Sequence, residues 1–274
     1  MPQKILITGG SGSLGRHTFS YLLKAENTVR ISSRSERKAN VPIEVEWARA
    51  SFETGEGLDE AVRGIHTIIH AASDPLHPQK VDVEGTRKLL EKAKAAGVQH
   101  FFYISIVGIE HFPGFAYYKA KRAAEQLIER SGIPYTILRA TQFHELLDFY
   151  FLPPLFKLPF IALVPTSFKY QLIDIGEVAL RMAELAQAKP SGRVADIGGP
   201  QILTMGELAR TWAKARGINR HIIHLPMPGR TAAGFRKGLH TCADNLFGKI
   251  TWEQYLAQKY AKTVESLKLQ ESKP

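Results

Sequence analysis

Over the first 140 residues, short β-branched runs alternate with stretches of helical period. The runs at 4–9 (KILITG), 28–33 (TVRISS), 43–48 (IEVEWA), 67–72 (TIIHAA), 100–105 (HFFYIS) and 135–140 (YTILRA) read as strands. Between them, Leu14, Thr18, Tyr21 and Leu22 form one helical face, and helices are expected over about 78–96 and 115–130. Gly97 after KAKAA and Gly132 after IERS stand where helices end. Strands alternating with helices predict βαβ units and a parallel sheet. Beyond residue 140 the pattern loosens. Residues 143–152 read as helical until PPLFKLP breaks the period, and 168–173 reads as a short strand. An amphipathic helix is expected over 175–186, and a strand ending in a turn over 192–200. A helix over 204–217 is opened by a capping box of Thr204 and Glu207, and HIIHLP is a short strand. A last helix is expected over 251–261, and the final ~10 residues are polar and expected to be loose.

Composition narrows the picture. Of 274 residues 44% are apolar and 23% charged, which suits a globular chain and excludes global disorder. Cys242 is the single cysteine, so a disulfide scaffold is excluded. MPQKILITGG runs straight into a strand and a glycine turn without a secretory signal, and a cytoplasmic protein is expected. The most apolar stretch, 143–164, is interrupted by Glu145, Asp148, Lys157 and three prolines, so no membrane partner is expected. No metal-ligand spacing is present: His66 and His70 lie four apart on a strand, and the other histidines are scattered.

The net charge of +10 first suggests nucleic acid. Its distribution argues otherwise. Residues 1–100 hold 14 basic and 12 acidic groups, residues 101–200 hold 10 and 9, and residues 201–274 hold 12 and 5. The excess lies at positions such as Lys214, Arg216, Arg220, Arg230, Arg236 and Lys237, with no DNA-binding motif around it. No nucleic-acid partner is expected. The charge reads as a solvated face that could attract an acidic partner or substrate.

The candidate chemistry begins at the first strand–helix turn, Thr8-Gly9-Gly10-Ser11-Gly12-Ser13-Leu14-Gly15. Glycines three apart allow a tight turn, close approach of backbone to a pyrophosphate, and tight helix–strand packing. The N–H groups around Ser13 and Leu14 would then face the phosphates. A dinucleotide is expected against Gly9, Gly12, Ser13, Leu14 and Gly15. The second strand ends in Ser32-Ser33-Arg34, with Arg37 and Lys38 behind and no carboxylate for a ribose 2′-hydroxyl. Arg34, beside Ser33, can meet a 2′-phosphate, so NADP(H) is expected over NAD(H). Small residues Ala71, Ala72 and Ser73 after the fourth strand let backbone approach the cofactor, and His70 reads as a packed strand residue.

These pieces, with YISIVGIE, YYKAKRAAE, ILRATQFHE, VADIGGP and TWEQYL, resemble the atypical, NmrA-like NAD(P)H-binding branch of the short-chain dehydrogenase/reductase superfamily. The resemblance covers the whole chain. It implies an α/β fold: a Rossmann-type doubly wound parallel sheet with a smaller C-terminal α/β substrate lobe. The dinucleotide-binding core would span 1–140 and the substrate lobe 141–274, a strand near 193–198 returning to the core sheet. It also implies a catalytic Tyr-x-x-x-Lys, which Tyr117 and Lys121 match one helical turn apart. Lys121 would hold the nicotinamide ribose and lower the Tyr117 pKa, and Tyr117 would donate a proton as hydride arrives. The superfamily's Ser/Thr normally lies about 13 residues before the tyrosine; Ser105 lies 12 before Tyr117, one place off.

On the substrate side, Thr141 is expected against the cofactor, and Gln142, Phe143 and His144 against the substrate, since ligands sit outside the carboxyl ends of the strands. Phe149, Tyr150, Phe151, Leu155, Phe156 and Phe160 would wall an apolar pocket. The expected function is reduction of a small, largely apolar carbonyl, enone or quinone by an NADPH-dependent oxidoreductase, as monomer or homodimer. The alternative is a non-catalytic NADP(H)-binding redox sensor acting through a protein partner, which the one-place shift of Ser105 favours.

Overall fold

In the computed structural model the residues described are 2–37 and 41–260; Lys38, the end of the last expected helix and the C-terminal residues expected to be loose lie outside them. Strand β1 (Lys4–Thr8) leads through α1 (Ser13–Lys24) to β2 (Thr28–Ser33), and β3 (Glu46–Arg49) follows. Helix α2 (Leu58–Val62) leads to β4 (Thr67–His70). A π-helical segment, Gln79–Gly85, continues into α3 (Thr86–Ala95), so the expected 78–96 helix has two hydrogen-bond registers. Strand β5 (His100–Ile106), α4 (Ala116–Glu129) and β6 (Tyr135–Ala140) follow. Short turns α5 (His144–Leu146) and α6 (Leu152–Leu155) flank a π-helical segment, Leu147–Phe151, before β7 (Ile161–Val164) and β8 (Lys169–Gln171). Then come α7 (Ile175–Gln187), β9 (Gly192–Arg193), β10 (Ile202–Thr204), α8 (Met205–Ala215), β11 (His221–His224) and α9 (Arg230–Lys237). Residues 252–260 are helical.

The chain divides into two compact units. The first comprises 1–140 and 175–196. Its strands form a parallel sheet in the order β3-β2-β1-β4-β5-β6-β9. The order reverses between β1 and β4, the switch point of a Rossmann-type fold. Helices α1 and α7 pack together and α7 lies on β4, β5 and β6; α2, α3 and α4 form a second group, so the sheet is doubly wound. The pleat sends Leu6, Ile68 and Phe101 into one buried layer with Leu89, Ala93, Ala124 and Ile128. Gly97 is the left-handed residue after α3 (φ +72°), and Val98 N–H then reaches back to the Ala93 carbonyl at 3.0 Å.

Two elements differ from those expected, and for the first the cause is local. The third strand begins at Glu46, not Ile43, because Arg37 binds the Val45, Val41 and Pro42 carbonyls and holds 41–45 as a loop. In the 192–200 segment only Gly192–Arg193 pairs with β6.

The second unit comprises 141–174 and 197–274. It carries two small sheets, β7–β11 parallel and β8–β10 antiparallel. Helix α8 opens with both capping-box bonds, Glu207 N–H to Thr204 Oγ1 at 3.2 Å and Thr204 N–H to Glu207 Oε2 at 2.7 Å. Buried Asp148 organises this unit: Trp212 Nε1, Tyr255 OH and Tyr260 OH donate to it at 2.8, 3.0 and 2.6 Å, and Lys259 also bonds it. Burial alone would raise its carboxyl pKa, but these donors hold it below the usual range. Among the described residues no helix is long and apolar enough to cross a membrane.

A buried ion network fixes α4 on the first unit's sheet. Arg139 on β6 grips Glu125 of α4 through Nε and Nη2 at 2.7 and 2.6 Å, and Glu110 through Nη1 at 2.9 Å. Arg122 adds a bond to Glu125 at 2.9 Å. Arg139 and Glu125 are 1% and 0% exposed, so either alone would be a desolvated charge. Glu125→Ala should lower unfolding free energy by about 3–5 kcal/mol, measured by urea denaturation. A loss within experimental error of zero would show that the pair carries no net weight.

Candidate functional site

The glycine loop is built for backbone contact. At Gly9 (φ +69°) a Cβ would stand 2.8 Å from the Ala71 carbonyl carbon and from Ala72 N, so β1's loop lies directly on the segment after β4. At Gly15 a Cβ would meet Gly10 Cα at 2.5 Å. Gly12 is the N-cap of α1 and supplies no side-chain cap, and the first turn holds no acidic residue. The first intrahelical bond is Arg16 N–H to Gly12 O at 3.0 Å, so the N–H groups of Ser13 and Leu14 precede it. A cradle of N–H groups without a competing carboxylate fits a diphosphate.

At the end of β2 the basic residues separate by role. Arg37 is tied to loop carbonyls, and Glu36 pairs with Arg49 at 3.1 Å. Arg34 is exposed and makes no hydrogen bond or ion pair among the described residues; its charge contributes to lowering the Glu53 pKa, chiefly the work of Lys80. Ser33 Oγ accepts from Ser35 N–H at 3.3 Å.

Beyond β4 a hydrogen-bonded chain runs through buried groups. Thr8 Oγ1 accepts from Ala71 and Ala72 N–H at 3.2 and 3.1 Å and meets His70 Nδ1 at 2.7 Å. His70 Nε2 meets Thr86 Oγ1 at 2.8 Å, and that hydroxyl donates to the Asp82 carbonyl at 2.6 Å. The directions require a neutral ring protonated on Nε2. Burial, then the charge of Lys121, depresses the His70 pKa to about 3. His70 is thus the packed strand residue expected, and it locks the loops beside it.

Tyr117 and Lys121 both lie on α4. Lys121 is 3% exposed, donates to the Ile104 carbonyl at 2.9 Å and stands 4.2 Å from the Tyr103 ring centre. Desolvation, against the opposing pull of Asp82 and Glu125, lowers its pKa to about 8. The Tyr117 hydroxyl meets Ser73 Oγ at 2.9 Å, and Ser73 donates to Asp82 at 2.6 Å. Because Ser73's proton is committed to Asp82, the phenol donates to Ser73. Here the structure corrects an expectation. The Tyr117 pKa lies above its ordinary value rather than near neutrality, because burial is the largest influence and outweighs the lowering from the contact with Ser73, with Asp82 adding to the rise. The Ser105 hydroxyl is buried on β5 beside Glu125, whose acidity it aids. Ser73, expected as a cofactor contact, is the serine that meets Tyr117. Asp82 carried no sequence signal: one carboxylate in VDVEG looks solvated until topology buries it.

The residues expected on the substrate side belong to the second unit. Thr141 is pinned there: its N–H donates to Ile197 O at 3.0 Å and its hydroxyl accepts from Gly199 N–H at 3.3 Å. Phe143 bridges to Ile173. His144 is not an open polar contact but 0% exposed, stacked on Tyr255 and Trp252 at 4.9 and 5.7 Å, with Nε2 on the Ile250 carbonyl. Burial lowers its pKa to about 4. The Gln142 amide is buried with neither end hydrogen-bonded among the described residues. In the aromatic group, Phe156 packs into the unit's core and Leu155 packs partly against it. Phe149, Tyr150, Phe151 and Phe160 are exposed.

The chain is 27% identical over 266 residues to photosystem II assembly factor Ycf39 of Trieres chinensis, a match covering 94% of this chain and 80% of that one. In fold it is similar to the NADPH-dependent quinone oxidoreductase QOR2 of Escherichia coli in complex with NADPH (TM-score 0.76, 19% identity, 93% of this chain and 99% of that one). A short-chain dehydrogenase/reductase superfamily protein of Agrobacterium tumefaciens with bound NAD is similar in the same way (TM-score 0.75, 21% identity, 98% and 100%). Residues 9–146 match the NAD(P)H-binding family. With that match over half its length, on the glycine loop and sheet described above, the chain belongs to the NAD(P)H-binding family.

Proposed function

We propose that the protein is a cytoplasmic NADP(H)-dependent oxidoreductase of the NmrA-like branch, reducing a small, largely apolar carbonyl, enone or quinone. The observation that carries this reading is the Tyr117–Ser73–Asp82 hydrogen-bonded chain on the same unit as the buried Lys121 ammonium and the glycine loop. When bound, reduced nicotinamide supplies hydride. The loop at Gly9, Gly12 and Gly15, with the Ser13 and Leu14 N–H groups, would hold the diphosphate. Arg34, which makes no hydrogen bond or ion pair among the described residues, would take the 2′-phosphate beside Ser33. Ala71 and Ala72 would border the cofactor, and Lys121 would hold the ribose hydroxyls.

The direction of chemistry follows from the phenol. A raised pKa keeps Tyr117 protonated throughout the physiological range. That suits a donor better than a base. Ser73 holds the phenolic proton until a substrate oxygen gains enough negative charge to take it. A second reading, a redox sensor acting through a protein partner, is favoured by the Ser105 hydroxyl serving Glu125 and by the likeness to an assembly factor.

NADPH oxidation across a panel of quinones, enones and aldehydes separates the two. Turnover is expected, and Tyr117→Phe should reduce it by about 10²-fold or more with NADPH affinity near wild type. Tight NADPH binding without turnover on any member would leave the sensor reading standing. Arg34→Ala should weaken NADPH at least about tenfold more than NADH, the size expected of a charge-assisted contact; equal losses would remove the 2′-phosphate assignment. NADPH affinity should also fall as pH rises through about 8, where free-protein Lys121 loses its charge, while Lys121→Met should bind weakly with little pH dependence. Isothermal titration from pH 6.5 to 9.5 reads both, and parallel profiles would separate Lys121 from binding.

A further inference from the structure

The basic excess and the aromatic run are not used by the proposed chemistry, and the second unit brings them together. Residues 149–173 contain Lys157 and Lys169 and no carboxylate; residues 208–243 contain seven Lys+Arg and no carboxylate. Strands β7 and β11 come from these two acid-free segments and pair in parallel, His221 N–H bonding the Phe160 carbonyl at 3.0 Å. That bond places Arg220 at the end of the sheet where Phe160 protrudes, and Lys157 precedes Phe160 by three residues. The exposed apolar side chains are large: Phe160 is 78% exposed, Tyr150 70%, Phe149 53% and Leu158 46%. Lys259 stands 3.4 Å over the Phe149 ring, and Arg216 lies 4.6 Å from the Trp212 ring centre. Solvent-facing Phe and Leu side chains concentrated within twelve residues are costly in water.

We propose that this face is a peripheral docking surface for an anionic lipid bilayer. Phe160, Leu158, Tyr150 and Phe149 enter the headgroup–acyl boundary, while Lys157, Arg220 and Arg216 meet the lipid phosphates. Apolar side chains with a basic surround suit that boundary, where hydrocarbon and negative charge lie within one side-chain length of each other. A second copy of this chain would bring positive charge against positive charge. A nucleic-acid strand would need cations interleaved with the aromatics, and 149–160 holds one, Lys157. The expectation of no membrane partner rested on the absence of a span, and surface docking requires none.

The test uses the full chain and extruded vesicles of phosphatidylcholine with and without phosphatidylglycerol as the anionic lipid. Sedimentation should show binding to the anionic vesicles at least tenfold tighter than to neutral ones, weakening as salt is raised. The Phe160→Ser/Tyr150→Ser double variant should lose about tenfold or more in affinity with the basic residues intact, and circular dichroism should show an unchanged fold. Phe160→Trp should add an emission component that shifts blue on binding and is quenched by chain-brominated lipid. No binding to anionic vesicles, or binding indifferent to the double variant, would overturn the proposal. So would preferential binding of a single-stranded polynucleotide, or a stable dimer lost in the double variant. None of these readouts depends on turnover, so the reductase reading stands or falls separately.

Discussion

Backbone lies on backbone where β1 and β4 end, and the first unit's candidate site is organised around that approach. Gly9 sits where a Cβ would overlap the Ala71–Ala72 peptide. Thr8 receives both N–H groups of that segment and passes the chain of bonds through His70 and Thr86 to the backbone of Asp82. An imidazole between two hydroxyls, buried among Phe52, Phe101 and Tyr103, has little freedom to turn or to charge. The glycine loop, the Ala71–Ser73 segment and the π-helical segment are therefore positioned as one piece. Ser73 emerges from it aimed at Tyr117.

Helix α4 supplies the other half of that contact, and a buried charge network holds it in place. The Arg139–Glu125 pair is costly to desolvate, and its bidentate geometry with added bonds from Arg122 and Glu110 offsets that cost. Its directionality fixes where α4 lies along the sheet, which apolar packing of Ala124 and Ile128 alone would leave freer to slide. Lys121 and Tyr117 inherit that register. The second unit uses the same device with different chemistry: Asp148 gathers Trp212, Tyr255, Tyr260 and Lys259, so one carboxylate fastens the 252–260 helix to α8.

Much of the architecture was legible because it rests on local rules. Strand–helix alternation, Gly97 at a helix end and the Thr204–Glu207 capping box all act within a few residues, and each stands where the sequence puts it. The glycine loop was legible for the same reason, since its spacing is a local steric demand. Elements lacking a local signature were missed or misjudged: the five-residue α2, the π-helical registers, α9, and the 41–45 loop that Arg37 turns away from β3.

The site divides along the same line. The sequence by itself determined the residue types at the strand ends, the absence of a carboxylate at the end of β2, the one-turn spacing of Tyr117 and Lys121, and the concentration of positive charge beyond residue 200. Tertiary structure alone decided which of two serines meets the phenol, that His144 is buried and neutral, and that burial with Asp82 raises the Tyr117 pKa. It also decided that two acid-free segments far apart in the chain become neighbouring strands. The reason is physical. Spacing along one element fixes a side chain's neighbours on that element, whereas protonation and partner choice depend on desolvation and on charges delivered from other elements.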